Sequence, residues 1–326
     1  MTSLYPLKFR PIPQERIWGG HRLKSWFGVT GEAAPIGEYW VLSAHPNATS
    51  VVVNGDFAGR TLTDIVQAYP EAYLGRSPQP RFPLLIKFLE AREDLSVQVH
   101  PDDAYAQQHE GDFGKTEAWY VLETADDGKV VFGHRFADKD SYRKAVAEGR
   151  VKEYLRYEPV QPGQVVFVPA RTMHALLAGT VVIEVQQTSD VTYRVYDWDR
   201  KGPDGKGREL HIDKAADVLA YGAEQTQSAI VQPTVLDDGE GVRRERLVTC
   251  PYFTMEKLML NAGKQSLTSV KPDAPDILIM VKGAGVLRWE GGELSVERGD
   301  TVLIPTSIRT YHVDVPEQAE VLRVTY

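Results

Sequence analysis

The sequence predicts a mainly β protein made of two related β domains of the sandwich or barrel type, with a few added helices. Three observations carry this expectation. Short apolar, β-branched and aromatic runs recur along the chain, punctuated at close spacing by Gly, Pro, Asn and Asp, a pattern of packed antiparallel sheets rather than of alternating βαβ units. Helical patterning is confined to a few segments. The middle of the chain is echoed near its end.

Taken in order, EYWVLSA, TSVVVNG, PLLIKFLEA, LSVQVHP, EAWYVLE, KVVFGH, GQVVFVPA, GTVVIEVQQ and VTYRVYDW read as strands of the first domain. FTMEKLML, DILIMVKG, GVLRWEG, DTVLIPT and AEVLRVTY read as strands of the second. Helices are expected in TLTDIVQAYPEAY, DDAYAQQHE, DSYRKAVAEGRVKEYLR and DKAADVLAY. The echo pairs EAWYVLETADDGKVVFG and PGQVVFVPARTMHAL with DILIMVKGAGVLRWEGG and RGDTVLIPTSIRTYHV. Gly163 and Pro169 align with Gly299 and Pro305, Glu117 aligns with Asp276, and the excess length of the first copy matches DSYRKAVAEGRVKEYLR with its flanks. The expected division is residues 1–230 for an N-terminal region with the helical insertions and 231–326 for a C-terminal β domain.

Bulk properties narrow the function. The 326 residues carry a formal net charge of −8, which disfavours a nucleic-acid or anionic-membrane surface. A single cysteine, Cys250, leaves neither an intrachain disulfide nor a cysteine-rich zinc site. MTSLYPLKFRPIP lacks a signal pattern and no apolar run is long enough to span a bilayer, so a cytoplasmic protein is expected. The oligomeric state is left open.

The chemistry concentrates in LLIKFLEAREDLSVQVHPDD. Strand side chains two apart share a face, so Gln98 and His100 point into one cavity. Glu117 begins another strand, and His174 follows a Gly-x5-Pro turn that delivers it to the end of a third. Two imidazoles, a carboxylate and an amide oxygen suit a divalent first-row metal, zinc foremost, with a position left for water or substrate. The second copy has Thr310 where the first has His174 and no Gln-x-His pair before Asp276, so one metal per chain is expected, with the terminal domain structural. A buried histidine taken alone is more often a hydrogen-bonded core residue. His21, His45, His109, His134, His211 and His312 are assigned such structural or surface roles. Lys87, within LLIKFLE, is read as lining a wet metal site, against the plainer reading of a strand lysine whose head snorkels to water.

KFLEA with LSVQVHP, GKTEAWYV, VPARTMHAL and QTSDVTYRVYDW, in that order, resemble the type I phosphomannose isomerases in their short bacterial form. IWGGHRL, IGEYWVLSAHPN and RELHIDKA extend the resemblance over nearly the whole chain. It implies cupin-type β domains, one zinc ion per chain, and interconversion of a small phosphosugar, mannose 6-phosphate to fructose 6-phosphate, through an enediol(ate). The family's metal ligands fall on Gln98, His100, Glu117 and His174. Its lysines fall on Lys87 and Lys115, and the Asp and Arg that follow the second histidine fall on Asp190 and Arg194. A lysine desolvated beside a metal loses pKa, which makes either lysine a candidate acid–base group. Arg194 suits the charge of the enediolate or of the phosphate, and Asp190 either positions a neighbour or caps a turn. Pro169-Ala170-Arg171 departs from the family's Pro-Ala-Gly, and Arg171 is expected to point to solvent. Trp18 and Glu38 are read as packing and turn elements. The same ligands also fit an oxygenase-like metal-dependent cupin enzyme, or a non-catalytic sugar-binding cupin.

Overall fold

The computed structural model describes residues 4–28, 34–202, 205–225 and 228–326. Strands dominate, and the four segments read as helical contain helices at Leu62–Ala68 and Pro70–Tyr73, Asp103–His109, Lys139–Ala147 and Ile212–Val218. Pro70 divides the first segment, as a residue without an amide hydrogen must. The third segment ends earlier than its pattern suggests, because Leu155 already opens the strand Leu155–Pro159. No helix among the described residues is long and apolar enough to cross a membrane.

The repeat is a structural one. In the first copy the strand Glu117–Glu123 pairs with Val165–Val168 and Val181–Gln187, while Lys129–His134 pairs with Leu155–Pro159 and His174–Leu176. In the second, Asp276–Lys282 pairs with Thr301–Ile304 and Ala319–Thr325, while Ala284–Trp289 pairs with Gly292–Glu297 and Thr310–Val315. The helix Lys139–Ala147 accounts for most of the extra length of the first copy. Each copy is a sandwich, a seven-stranded sheet against a five-stranded one and an eight-stranded sheet against a four-stranded one. The strand Leu7–Arg10 lies early in the chain but pairs with Thr301–Ile304, so this early segment is stitched into the terminal sheet.

The seven-stranded and eight-stranded sheets pack face to face. Leu84, Ile86, Phe88, Ala118, Tyr120, Ile183 and Val185 share one core with Met255, Ile277, Ile279, Leu303, Leu322 and Val324. Strand periodicity then decides what faces the other way. Lys87 and Leu89, Glu117 and Trp119, and Val182, Glu184 and Gln186 line the inside of the first sandwich, where Leu89, Trp119 and Val182 belong to a separate core. The apolar appearance of LLIKFLE and VVIEVQQ comes from a sheet covered on both faces. One face is a dry interdomain core and the other is the wall of a cleft.

Phe88 is fully buried, and its ring meets Phe27 and Trp26 edge to face. Phe88→Ala should cost about 3–5 kcal/mol in denaturant unfolding, with both sheets melting in one transition. Two separated transitions, or a loss within error, would show that the two domains do not share this core.

Candidate metal centre and cleft

Three adjacent strands bring the ligand types together. His174 pairs directly with Gln98, and Arg194 pairs with Gln98 from the other side, so all three project from one face of the five-stranded sheet. Glu117 faces them from the seven-stranded sheet. His100, Glu117 and His174 are all buried, and their ligand atoms lie within 4.8 Å of one another. No other such group of three occurs among the described residues.

Hydrogen bonds fix the imidazoles. His100 Nδ1 lies 2.9 Å from the Val191 carbonyl and His174 Nδ1 lies 2.8 Å from that of Thr172. A carbonyl only accepts, so each Nδ1 carries the hydrogen and each Nε2 turns a lone pair inward. Those two Nε2 atoms are 3.1 Å apart, with Glu117 oxygens 3.5 Å from His100 Nε2 and 3.4 Å from His174 Nε2. Burial foremost, with the nearby Lys115 adding to it, pushes the His100 pKa down to about 3. Burial likewise lowers that of His174. Glu117 would be raised by burial, but Lys115 and the two imidazoles outweigh this and hold it well below the usual carboxylate range. Two neutral imidazoles and a carboxylate thus direct electron pairs at one point, and Glu117 Oε2 makes no hydrogen bond. Such a donor set fits a divalent cation. Gln98 Nε2 lies 3.4 Å from His174 Nε2, and a half-turn of the amide presents its oxygen at the same place.

Beside this centre opens a cleft of about 340 Å³, lined by Lys87, Gln98, Lys115, Asp190 and Arg194 of the residues nominated above. Lys115 Nζ is 3.4 Å from Glu117 Oε2. Arg194 donates to the Glu209 carbonyl at 2.8 Å and keeps Nε buried without a hydrogen-bond partner. Asp190 stands at the rim, where it accepts from the Asn47 amide.

Several contacts were not foreseen. Lys87 Nζ sits 3.1 Å from Glu184 and 3.6 Å from Glu38, with its charge 5.1 Å from the centroid of the Trp40 ring. Burial would lower its pKa, but Glu184, Glu38 and Asp190 outweigh this and raise it, the opposite direction to the lowering expected of a lysine beside a metal. Glu38, read from sequence as a packing or turn element, lines the cleft with Trp18. Although burial opposes it, Lys87 and Arg16 bring the carboxyl of Glu38 down to about 2. Glu184 is the cross-strand partner of both Lys87 and Trp119. The Trp119 indole N–H lies 3.0 Å from Glu117 Oε1 and 3.2 Å from Glu184 Oε1 and so ties the centre to the cleft wall. A charged residue in an otherwise apolar strand, as in EYWVL or VVIEVQQ, was the available signal. Arg171 does not point freely into solvent: it donates to the Val218 carbonyl at 3.1 Å and to Glu224 at 2.7 Å.

Comparison with known proteins accords with this geometry. Residues 7–127 match the model of the phosphomannose isomerase type I catalytic domain, and residues 243–325 match that of the mannose-6-phosphate isomerase cupin domain. The chain is 38% identical to a mannose-6-phosphate isomerase of Streptococcus mutans, over 95% of both chains. It is 37% identical to one of Bacillus subtilis, over 95% of this chain and 96% of the other. A crystal structure of the mannose 6-phosphate isomerase from Bacillus subtilis superposes with a TM-score of 0.89 at 32% identity, over 99% of this chain and 100% of that one.

The centre should hold one divalent ion per chain by the count of its ligands. Elemental analysis of dialysed protein should find it, and His174→Ala should reduce it to near zero. A tightly bound ion that survives loss of His174 would place the metal elsewhere.

Proposed function

This chain belongs to the type I phosphomannose isomerase family, and from that premise we propose that it is a zinc-dependent isomerase interconverting mannose 6-phosphate and fructose 6-phosphate through an enediol(ate). The observation that carries the reading is the buried His100, Glu117 and His174 group beside a cleft walled by Lys87, Lys115 and Arg194. His100, Glu117, His174 and Gln98 would hold the ion, which when bound supplies Lewis-acid charge for the sugar oxygens at C1 and C2.

The isomerisation moves a proton from C2 of the open-chain aldose to C1, while the carbonyl passes from C1 to C2. The site therefore needs a proton carrier near those carbons and fixed positive charge near the oxygens. Lys87, held cationic between Glu184 and Glu38, supplies fixed charge. Lys115, Glu184 and Asp190 are the other cleft groups able to carry the proton. Arg194 is the cross-strand partner of Gln98, and its charge suits the enediolate or the phosphate of a substrate in the cleft. Arg208 also lines the cleft and pairs with Asp197 at 2.7 and 2.6 Å. With Arg194 it makes that wall suited to a phosphate. The oxygenase alternative uses the same two histidines and carboxylate but gives no role to this set of lysines and arginines.

A coupled assay tests the proposal directly. Mannose 6-phosphate should be converted, activity should vanish with a strong chelator, and added zinc should restore it. Arg194→Ala should lower kcat by about 10²–10³ with metal content and folding nearly intact. Activity that persists after verified metal removal contradicts the metal role. A near-normal kcat/KM in Arg194→Ala, or loss of its metal, contradicts the placement of that residue.

A further inference from the structure

We infer that Arg171 is a positioning residue: it clamps the turn that sets the metal ligands to the helix Ile212–Val218, and through that helix to Arg194. The inference rests on the metal reading above. The turn from Pro169 to His174 touches every ligand-bearing segment. The Arg171 amide donates to the His100 carbonyl at 2.7 Å, and the Ala170 amide donates at 3.1 Å to the hydroxyl of Thr116, the neighbour of Glu117. The Thr172 carbonyl holds the His174 ring. Wherever this turn moves, His100, Glu117 and His174 lose their common point.

Arg171 occupies the turn at a cost. Its φ is 72°, in the left-handed region that disfavours a side chain, and Trp198 and Asp199 are the other non-glycine residues at positive φ among those described. Glycine would sit there without strain. Three bonds oppose the strain, all to one neighbouring segment. The Arg171 carbonyl accepts from the Ala220 amide at 3.0 Å, Nε donates to the Val218 carbonyl at 3.1 Å, and Nη2 donates to Glu224 at 2.7 Å. Val218 ends the helix, so its carbonyl lacks an intrahelical partner and a guanidinium is a suited cap.

The far end of the same helix is tied to the substrate wall. His211, at its N-terminus, donates its amide to the Arg194 carbonyl at 2.8 Å, and its Nδ1 accepts from the Arg194 amide at 2.9 Å. The helix is thus a strut with the metal-ligand turn at one end and Arg194 at the other. Arg171 is the side chain that fastens the first end, and strain at such a point is expected where position matters.

The test uses the full-length protein with Arg171→Gly, Arg171→Lys and Glu224→Gln. Zinc release from the loaded protein to a chromogenic chelator should be about tenfold faster in Arg171→Gly, the scale at which loss of a ligand-orienting contact acts. Amide hydrogen exchange in the metal-free protein should quicken at residues 171 and 220 and not at Val302 or Ile304, and the global unfolding midpoint should not fall, because glycine removes the strain. Arg171→Lys, which keeps the charge and one donor nitrogen, should restore part of the slow release, and Glu224→Gln should lie between. Wild-type release and exchange in Arg171→Gly, or quickened exchange throughout both sheets, would overturn the inference. If the unaltered protein binds no zinc, the metal reading fails, and local exchange at residues 171 and 220 still decides whether the clamp exists.

Discussion

Two imidazole nitrogens, Nε2 of His100 and Nε2 of His174, face each other at 3.1 Å in a space closed to solvent, with the Glu117 carboxylate against both. Each ring has its other nitrogen committed to a backbone carbonyl, so neither can turn its hydrogen inward. Lone pairs so arranged repel unless a cation sits among them, and burial removes water as the alternative. The surroundings follow from this constraint. The strand pairing of Gln98 with His174 and the indole of Trp119 hold the donors in place. Lys115 balances the carboxylate from the cleft side.

The second copy illustrates how the same sandwich is filled when that constraint is absent. Thr268 takes the register position of Gln98, Asp276 that of Glu117, and Thr310 that of His174. Asp276 accepts from the Tyr311 hydroxyl at 2.9 Å, and Arg323 donates to Glu256 inside the sandwich. The charged groups there satisfy one another, and no grouping of three metal-ligand types forms among the described residues of this copy. Its eight-stranded sheet buries the back of the seven-stranded sheet, which lets strands such as LLIKFLE carry apolar residues on one face and charged ones on the other.

Much of this was legible in the chain. Period-two spacing put Gln98 and His100 on one face, and the repeat identified both copies and the threonine that stands at the position of His174 in the second. Other parts were hidden for physical reasons. VRRERLVT and GKQSLT form the strands Val242–Thr249 and Gly263–Thr268, but their exposed faces carry charges and short polar residues that mask the alternation. Glu38 and Glu184 each stand alone in apolar strands, and their meaning appears only when the register sets Glu184 opposite Lys87 and folds Glu38 beside it. Arg171 is a loop arginine in sequence, and its partners Val218 and Glu224 lie far along the chain. Lys87 shows the limit most clearly: burial alone predicts a lowered pKa, and three carboxylates from elsewhere in the chain, Glu184 foremost, reverse the sign.

The central claim is that these particular side chains hold the ion. X-ray absorption at the metal edge of the zinc-loaded protein reads the donors directly. The shell should contain nitrogen and oxygen donors with the multiple-scattering signature of two imidazoles. A shell containing sulfur, or one made of oxygen alone, would contradict it.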